Sequence, residues 1–149
     1  MQPQSGEVEE ALSISAEACE FARASAWLES ICNARDVPVD ERYKLDICMN
    51  EALANVISHG GPAAIENPIL LTLTMTGSRA SGVASLALHA TGVPFDPTLH
   101  QTRPAPQTLE EAEPGGLGVL MMRANADHIA YERRGDFNCT SFLVRWGVA

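Results

Sequence analysis

Three polar residues, Glu51, Asn55 and His59, recur at every fourth position within LDICMNEALANVISHG, residues 45–60. Residues spaced four apart lie along one side of an α-helix, so all three side chains can point into one cleft. Glutamate offers a base, asparagine an oxygen ligand for a hard cation, and histidine a donor for phosphate. A polar helix edge that faces solvent is the alternative, and it is the better interpretation of this motif taken alone. The spacing differs from the HExxH of zinc proteases.

A second candidate site is the segment EPGGLGVLMMR, residues 113–123, in which Gly115, Gly116 and Gly118 precede an apolar helix. Glycines at a helix entrance let backbone N–H groups approach phosphates, and the positive end of the helix dipole favours anions. An ordinary tight turn is the alternative. The segment contains neither the GxGxxG of dinucleotide-binding folds nor the GKS or GKT of a P-loop.

The elements that must position these residues follow from hydrophobic periodicity. We predict strands at 11–16, 69–76, 82–90, 127–134 and 139–146, and helices at 17–34, from an Asp40 N-cap to about Ser58, and after Gly118. Residues 59–68 are predicted as a loop, 1–9 as a disordered terminus, and about 98–114 as a lid within a single domain spanning 10–149. This order predicts an α+β two-layer sandwich with helices on one face of a mixed, mostly antiparallel sheet.

Composition restricts the class of protein. The chain has 149 residues, 46% of them hydrophobic, and a net charge of -9. One compact domain is therefore expected, and the acidity argues against a nucleic-acid or anionic-membrane surface. No apolar run suits a membrane span or a signal peptide. The four cysteines form no CxxC pair, so we expect free thiols in a reducing cytoplasm.

Taken together and in this order, the segments resemble the GHKL ATPase family. Residues 45–60 are similar to its N box, ATGVPFDP (90–97) to its G1 box, GGLGVLMMRANADHIAY (115–131) to its G2 box, and NCTSFLVRW (138–146) to its terminal strand. Within the family the chain most resembles the single-domain anti-sigma factor serine/threonine kinases, which share the PFDP and GLGVLMMRANAD forms. The resemblance covers nearly the whole chain.

The resemblance implies an Mg-ATP site and a kinase activity. Glu51 matches the general base that activates an acceptor serine, and Asn55 matches the magnesium ligand. The other matched positions approach the nucleotide: His59, Gly116 and Gly118 at the phosphates, and Gly92 and Thr140 near the adenine. The implied partners are a STAS-type anti-sigma antagonist as substrate and a sigma factor, and a homodimer is a further expectation.

One departure from the family pattern concerns the base. The family places an aspartate two residues before the G1 glycine, where it accepts a hydrogen bond from the adenine amino group, but this chain has Ala90. His89 and Thr91 point to the opposite face of a regular strand. Losing one charge-assisted hydrogen bond costs about 1.5–3 kcal/mol, or about ten- to a hundredfold in affinity. A smaller departure is Asn138-Cys139, where the family commonly has a glycine before the threonine.

Three interpretations follow. An active serine kinase is favoured by the intact Glu51, Asn55, Gly116 and Gly118. A non-catalytic partner-binding module on the same fold, with weak or no ATP binding, is favoured by Ala90. An unrelated small α+β enzyme or structural domain is the third, and the joint order of the boxes argues against it.

Overall fold

The computed structural model describes residues 6–99 and 116–147, and for residues 116 and 117 the backbone alone. Within these ranges the chain forms five strands: β1 (Val8–Ile14), β2 (Ile69–Gly77), β3 (Gly82–Thr91), β4 (His128–Arg134) and β5 (Phe137–Trp146). They build one open sheet in the order β1-β2-β3-β5-β4.

Every neighbouring pair in this sheet is antiparallel, so the expectation of a mixed sheet is wrong. The reason lies in the strand order. β3 and β4 each run antiparallel to β5 and therefore parallel to one another, but β5 lies between them. The two parallel strands consequently share no hydrogen bonds.

The described residues also form four α-helices: α1 (Phe21–Ala34), α2 (Val39–His59), α3 (Gly61–Glu66) and α4 (Gly116–Asn125). Short 3-10 turns lie at Ala18–Glu20 and Pro97–Leu99. The helix α2 is central, because it packs against α1 and α4 and against strands β3 and β5. This arrangement confirms the two-layer α+β sandwich. No helix in the described ranges is both long and apolar enough to cross a membrane.

The core lies between the helices and one face of the sheet. Alternate residues of β2, namely Ile69, Leu71, Leu73 and Met75, are buried, as the period of two predicts. From α2 the predicted apolar stripe is buried at Leu45, Cys48, Met49 and Ala52 and partly buried at Val56, and Leu53 adds to it. This packing holds α2 against the sheet, so the side chains bordering the stripe face the sheet edge.

Several predicted boundaries differ from the structure. β1 begins at Val8, inside the segment predicted as disordered, because Val8 pairs with Met75. The predicted loop at 59–68 contains the helix α3, which has a proline in its first turn. The N-cap of α2 is Pro38, so Asp40 lies in the first turn instead. The predicted lid falls outside the described residues except for its first two, 98 and 99.

The four cysteines are free, as expected. Cys32 and Cys48 are buried, Cys139 is half-buried, and Cys19 is exposed. Burial raises the pKa of Cys32 to about 11. Burial, assisted by the nearby Glu51 carboxylate, raises the pKa of Cys48 to about 12.

We predict that a thiol reagent at pH 8 labels Cys19 rapidly, and labels Cys32 and Cys48 only as fast as the chain unfolds. The folded pKa values lie above the ordinary 9.0 of a thiol. The folded state therefore holds more protons than the unfolded state between pH 9 and about 11–12, and the free energy of unfolding falls as the pH rises through that range. Mass spectrometry of labelled peptides measures the labelling rate of each cysteine. Rapid labelling of Cys48 in the folded protein would contradict the prediction.

Candidate functional site

A cleft opens between the C-terminal half of α2, the C-terminal end of β3 and the N-terminal end of β5. The cleft forms where β3 ends and β5 begins beside the helix, and where the chain leaves β3 through the segment 92–99. Three of the singled-out positions line it together: Asn55 from α2, Ala90 from β3 and Thr140 from β5. Val93 and Phe95 from the segment 92–99 complete its apolar side.

Asn55 is the polar side chain that α2 buries in this cleft. It is 9% exposed, and its Nδ2 atom is buried without a hydrogen-bond partner among the described residues. A buried amide without a partner costs free energy unless a ligand or water satisfies it. The amide is therefore placed to bind something that enters the cleft.

Glu51 lies one helical turn before Asn55 and faces the first turn of α4. A Cβ atom built on Gly118 would lie 2.7 Å from the Glu51 Oε2 atom. The absence of a side chain at Gly118 thus leaves the space that the carboxylate occupies. The sequence predicted that Gly116 and Gly118 precede the helix, but α4 begins at Gly116 and includes both.

His59 does not line the cleft. Its ring stacks on the Phe95 ring, with centroids 5.3 Å apart and an interplanar angle of 6°. The histidine therefore contacts the segment 92–99 through the ring of Phe95. A phosphate-contacting role for His59 stays a prediction.

Gly92 lies where β3 ends and is enclosed by backbone. Its N–H donates to the Asp136 carbonyl oxygen at 3.1 Å, and its own carbonyl accepts a hydrogen bond from Arg133 at 2.6 Å. Its φ angle is +152°, and a Cβ atom there would lie 2.6 Å from the Gly60 carbonyl oxygen. Only glycine satisfies both the dihedral angle and the close approach.

We predict that Gly92→Ala lowers the free energy of unfolding by about 2–3 kcal/mol, because it combines an unfavourable dihedral angle with a steric clash. Gly135→Ala is the matched control. Gly135 also has a positive φ angle, of +58°, but a Cβ atom there meets nothing within 4 Å. Gly135→Ala should therefore lower the free energy of unfolding by about 1 kcal/mol, the cost of the unfavourable dihedral angle alone. Urea denaturation measures both, and equal losses would contradict a steric role for Gly60.

Ala90 is 3% exposed and faces the cleft. His89 faces away from it, as the regular strand requires, and its Nδ1 atom lies 3.2 Å from Cys139 Sγ on the other side of the sheet. Thr91, contrary to the expectation for a regular strand, reaches the cleft edge. None of the described residues that line the cleft is acidic.

Two side chains that hold the segment 92–99 in place were not predicted as site residues. Asn138, known from the sequence only as a departure from the family pattern, donates from Nδ2 to the Val93 carbonyl at 2.8 Å and accepts from the Phe95 N–H at 3.3 Å. Arg123 of α4 donates to the carbonyls of Pro97 and Thr98 at 3.4 and 3.1 Å. These contacts link residues far apart in sequence, and no local pattern signals them.

The family model for the histidine kinase-like ATPase domain matches residues 14–144, which include the whole cleft. This chain belongs to the histidine kinase-like ATPase family. The serine/threonine-protein kinase BtrW of Bordetella bronchiseptica is 34% identical over 131 residues, which cover 85% of this chain and 87% of that protein. The predicted family is confirmed, and this relative is a serine/threonine kinase, as the predicted branch requires.

A solved structure shares the fold of this family member. It contains the RsbU and RsbW domains of a Mycobacterium tuberculosis protein and superimposes with a TM-score of 0.62 at 12% identity. The match covers 90% of this chain but 32% of that longer chain. At this identity the likeness establishes the fold alone, which agrees with the sandwich described above.

The chemistry of the cleft fits the phosphate end of a magnesium-nucleotide site. Asn55 supplies a buried Nδ2 group without a partner among the described residues, a donor that suits a phosphate oxygen, and its amide oxygen is the kind of ligand that magnesium takes. Gly118 leaves space beside α4, where a Cβ atom would crowd Glu51. The base end fits the family less well, since Ala90 replaces the carboxylate.

Proposed function

We propose that this protein is a serine/threonine kinase that uses Mg-ATP, phosphorylates a STAS-type anti-sigma antagonist and so regulates a sigma factor in the cytoplasm. The supporting observation is the pair formed by Glu51 and Asn55 on adjacent turns of α2, with the Asn55 Nδ2 atom buried and without a partner among the described residues. The membership of the family and the kinase relative support the reaction class.

Each of these residues has a separate task in the reaction. A bond forms between the serine oxygen of the antagonist and the γ-phosphorus, the bond from that phosphorus to ADP breaks, and Glu51 accepts the serine proton. Asn55 would hold magnesium through its amide oxygen. The bound ion supplies positive charge next to the transferring phosphoryl group. Gly116 and Gly118 would leave backbone N–H groups of α4 open to the phosphates, and Gly92 and Thr140 would flank the adenine.

We predict that Gly118→Ala separates activity from stability. Alanine in a helix is favoured over glycine by up to about 1 kcal/mol, so the folded state should be as stable or more stable. The new methyl group would displace the Glu51 carboxylate, and transfer should fall about tenfold to a hundredfold. Urea denaturation and a phosphoryl-transfer assay measure the two effects. Full activity would contradict the assignment of this space to Glu51.

A second candidate function is a partner-binding module without catalysis, and Ala90 favours it. The side chain that the family uses to read adenine is missing, and no described residue lining the cleft carries another carboxylate. Such a protein would keep the fold and the partner surface but bind nucleotide weakly.

Calorimetric titration with Mg-ATP distinguishes the two candidates. We expect the native chain to bind, Asn55→Ala to lose magnesium-dependent binding, and Ala90→Asp to bind about ten- to a hundredfold more tightly. Binding only by Ala90→Asp would favour the non-catalytic module. Absence of binding by both proteins would contradict the nucleotide site altogether.

The oligomeric state is a separate expectation of the family resemblance. We expect a homodimer at micromolar concentration. Size-exclusion chromatography with light scattering measures it, and a clean monomer would contradict it.

A further inference from the structure

Asn138 lies next to the missing carboxylate. In the ladder between β3 and β5, Ala90 and Asn138 are direct partners. Directly paired residues of antiparallel strands project to the same face, with Cβ atoms about 4.5–5.5 Å apart. Both residues line the cleft. The position that lacks a polar group on β3 therefore has a carboxamide beside it, contributed by β5.

The hydrogen bonds of this carboxamide determine what it can offer a ligand. The Oδ1 atom accepts from the Phe95 N–H at 3.3 Å and from the Tyr131 hydroxyl. The Nδ2 atom donates to the Val93 carbonyl at 2.8 Å. A carboxamide has two acceptor positions and two N–H donors. Both acceptor positions are thus used within the described residues, and one N–H donor is left.

Among the described residues, the other side chains at this end do not restore an acceptor of fixed direction. Thr91 and Thr140 line the cleft with hydroxyl groups, which donate or accept by rotation. His89 is turned to the opposite face and contacts Cys139. The base end therefore has the second Asn138 N–H as a donor, where the family pattern has an acceptor.

We propose that Asn138 is the specificity-determining residue of this nucleotide site and that it reads an acceptor on the edge of a purine base. A carboxylate selects the adenine amino group and repels the guanine carbonyl oxygen, whereas an N–H donor pairs with adenine N1 or with guanine O6. The site then accepts both ATP and GTP. This inference rests on the proposed function, because it concerns the base end of the same cleft.

Asn138→Asp tests the proposal because the two side chains have nearly the same shape. A carboxylate keeps acceptors for the Phe95 N–H and the Tyr131 hydroxyl, but it loses both the donor for the base and the donor to the Val93 carbonyl. We expect the native chain to bind Mg-ATP and Mg-GTP with affinities within about tenfold of each other. In Asn138→Asp the ratio of ATP affinity to GTP affinity should rise by about tenfold or more, equivalent to one hydrogen bond.

Asn67→Asp is the matched control, since it makes the same chemical change on an exposed asparagine that contacts Ala63 at the end of α3. Its affinity ratio should equal that of the native chain, and thermal melts should show all three proteins folded. If the ratio of ATP affinity to GTP affinity rose by less than about tenfold in Asn138→Asp, the inference would be overturned and the kinase proposal would stand. Failure of both nucleotides to bind the native chain and Ala90→Asp would overturn the proposed function, and this inference with it.

Discussion

Glu51→Gln is expected to lower the rate of phosphoryl transfer by about a hundredfold to ten-thousandfold, because glutamine cannot accept the serine proton. Glutamine keeps the size of the side chain and fills the same space beside Gly118. Mg-ATP should therefore bind within a few-fold of the native affinity. The measurement is single-turnover transfer from labelled ATP to the antagonist, with calorimetry for the binding step.

Glu66→Gln is the control for this experiment. Glu66 lies in α3, is exposed, and stands outside the cleft. It should transfer phosphate at the native rate. If Glu51→Gln were as active as the native chain, Glu51 would not be the general base. If neither the native chain nor Glu66→Gln transferred phosphate, the non-catalytic candidate would gain support.

Phe142→Ala is expected to lower the free energy of unfolding by about 3–5 kcal/mol, the usual cost of deleting a buried aromatic ring. Phe142 is fully buried on β5, where it pairs with Leu86 of β3 and Ile129 of β4. Three strands thus lose a contact at one position, and the cavity lies in the middle of the sheet. Equilibrium urea unfolding measures the change.

Phe137→Ala separates the effect of burial from that of residue type. Phe137 belongs to the same strand but is 46% exposed. Its replacement should change the free energy of unfolding by no more than about 1 kcal/mol. A similar loss for both variants would contradict burial as the cause of the loss in Phe142→Ala.

The parts of the site that follow local periodicity could be predicted from the sequence. The spacing of Glu51 and Asn55 along α2 places both on the border of the apolar stripe, and the structure retains that arrangement. The alternation along β3 places Ala90 inside and His89 outside, because successive side chains of a strand point to opposite faces. A helix or strand imposes these relations within a few residues, so no tertiary information is needed.

The parts that depend on contacts between distant residues could not be predicted. His59 lies on the helix face predicted for it, yet Phe95 occupies the space in front of its ring. Whether His59 can reach a phosphate depends on the path of residues 92–99, which the sequence does not give. The path of that segment is held by hydrogen bonds from Asn138 of β5 and Arg123 of α4.

The sequence by itself determined the family, the two-layer class and the placement of Glu51 and Asn55 along one border of α2, since these follow from motifs whose residues lie close together in the chain. The tertiary structure alone decided that all strand pairs are antiparallel and that Asn138 stands beside Ala90. Both follow from the insertion of β5 between β3 and β4. Pairing between strands is specified by the packing of the whole sheet against its helices, which no short segment encodes.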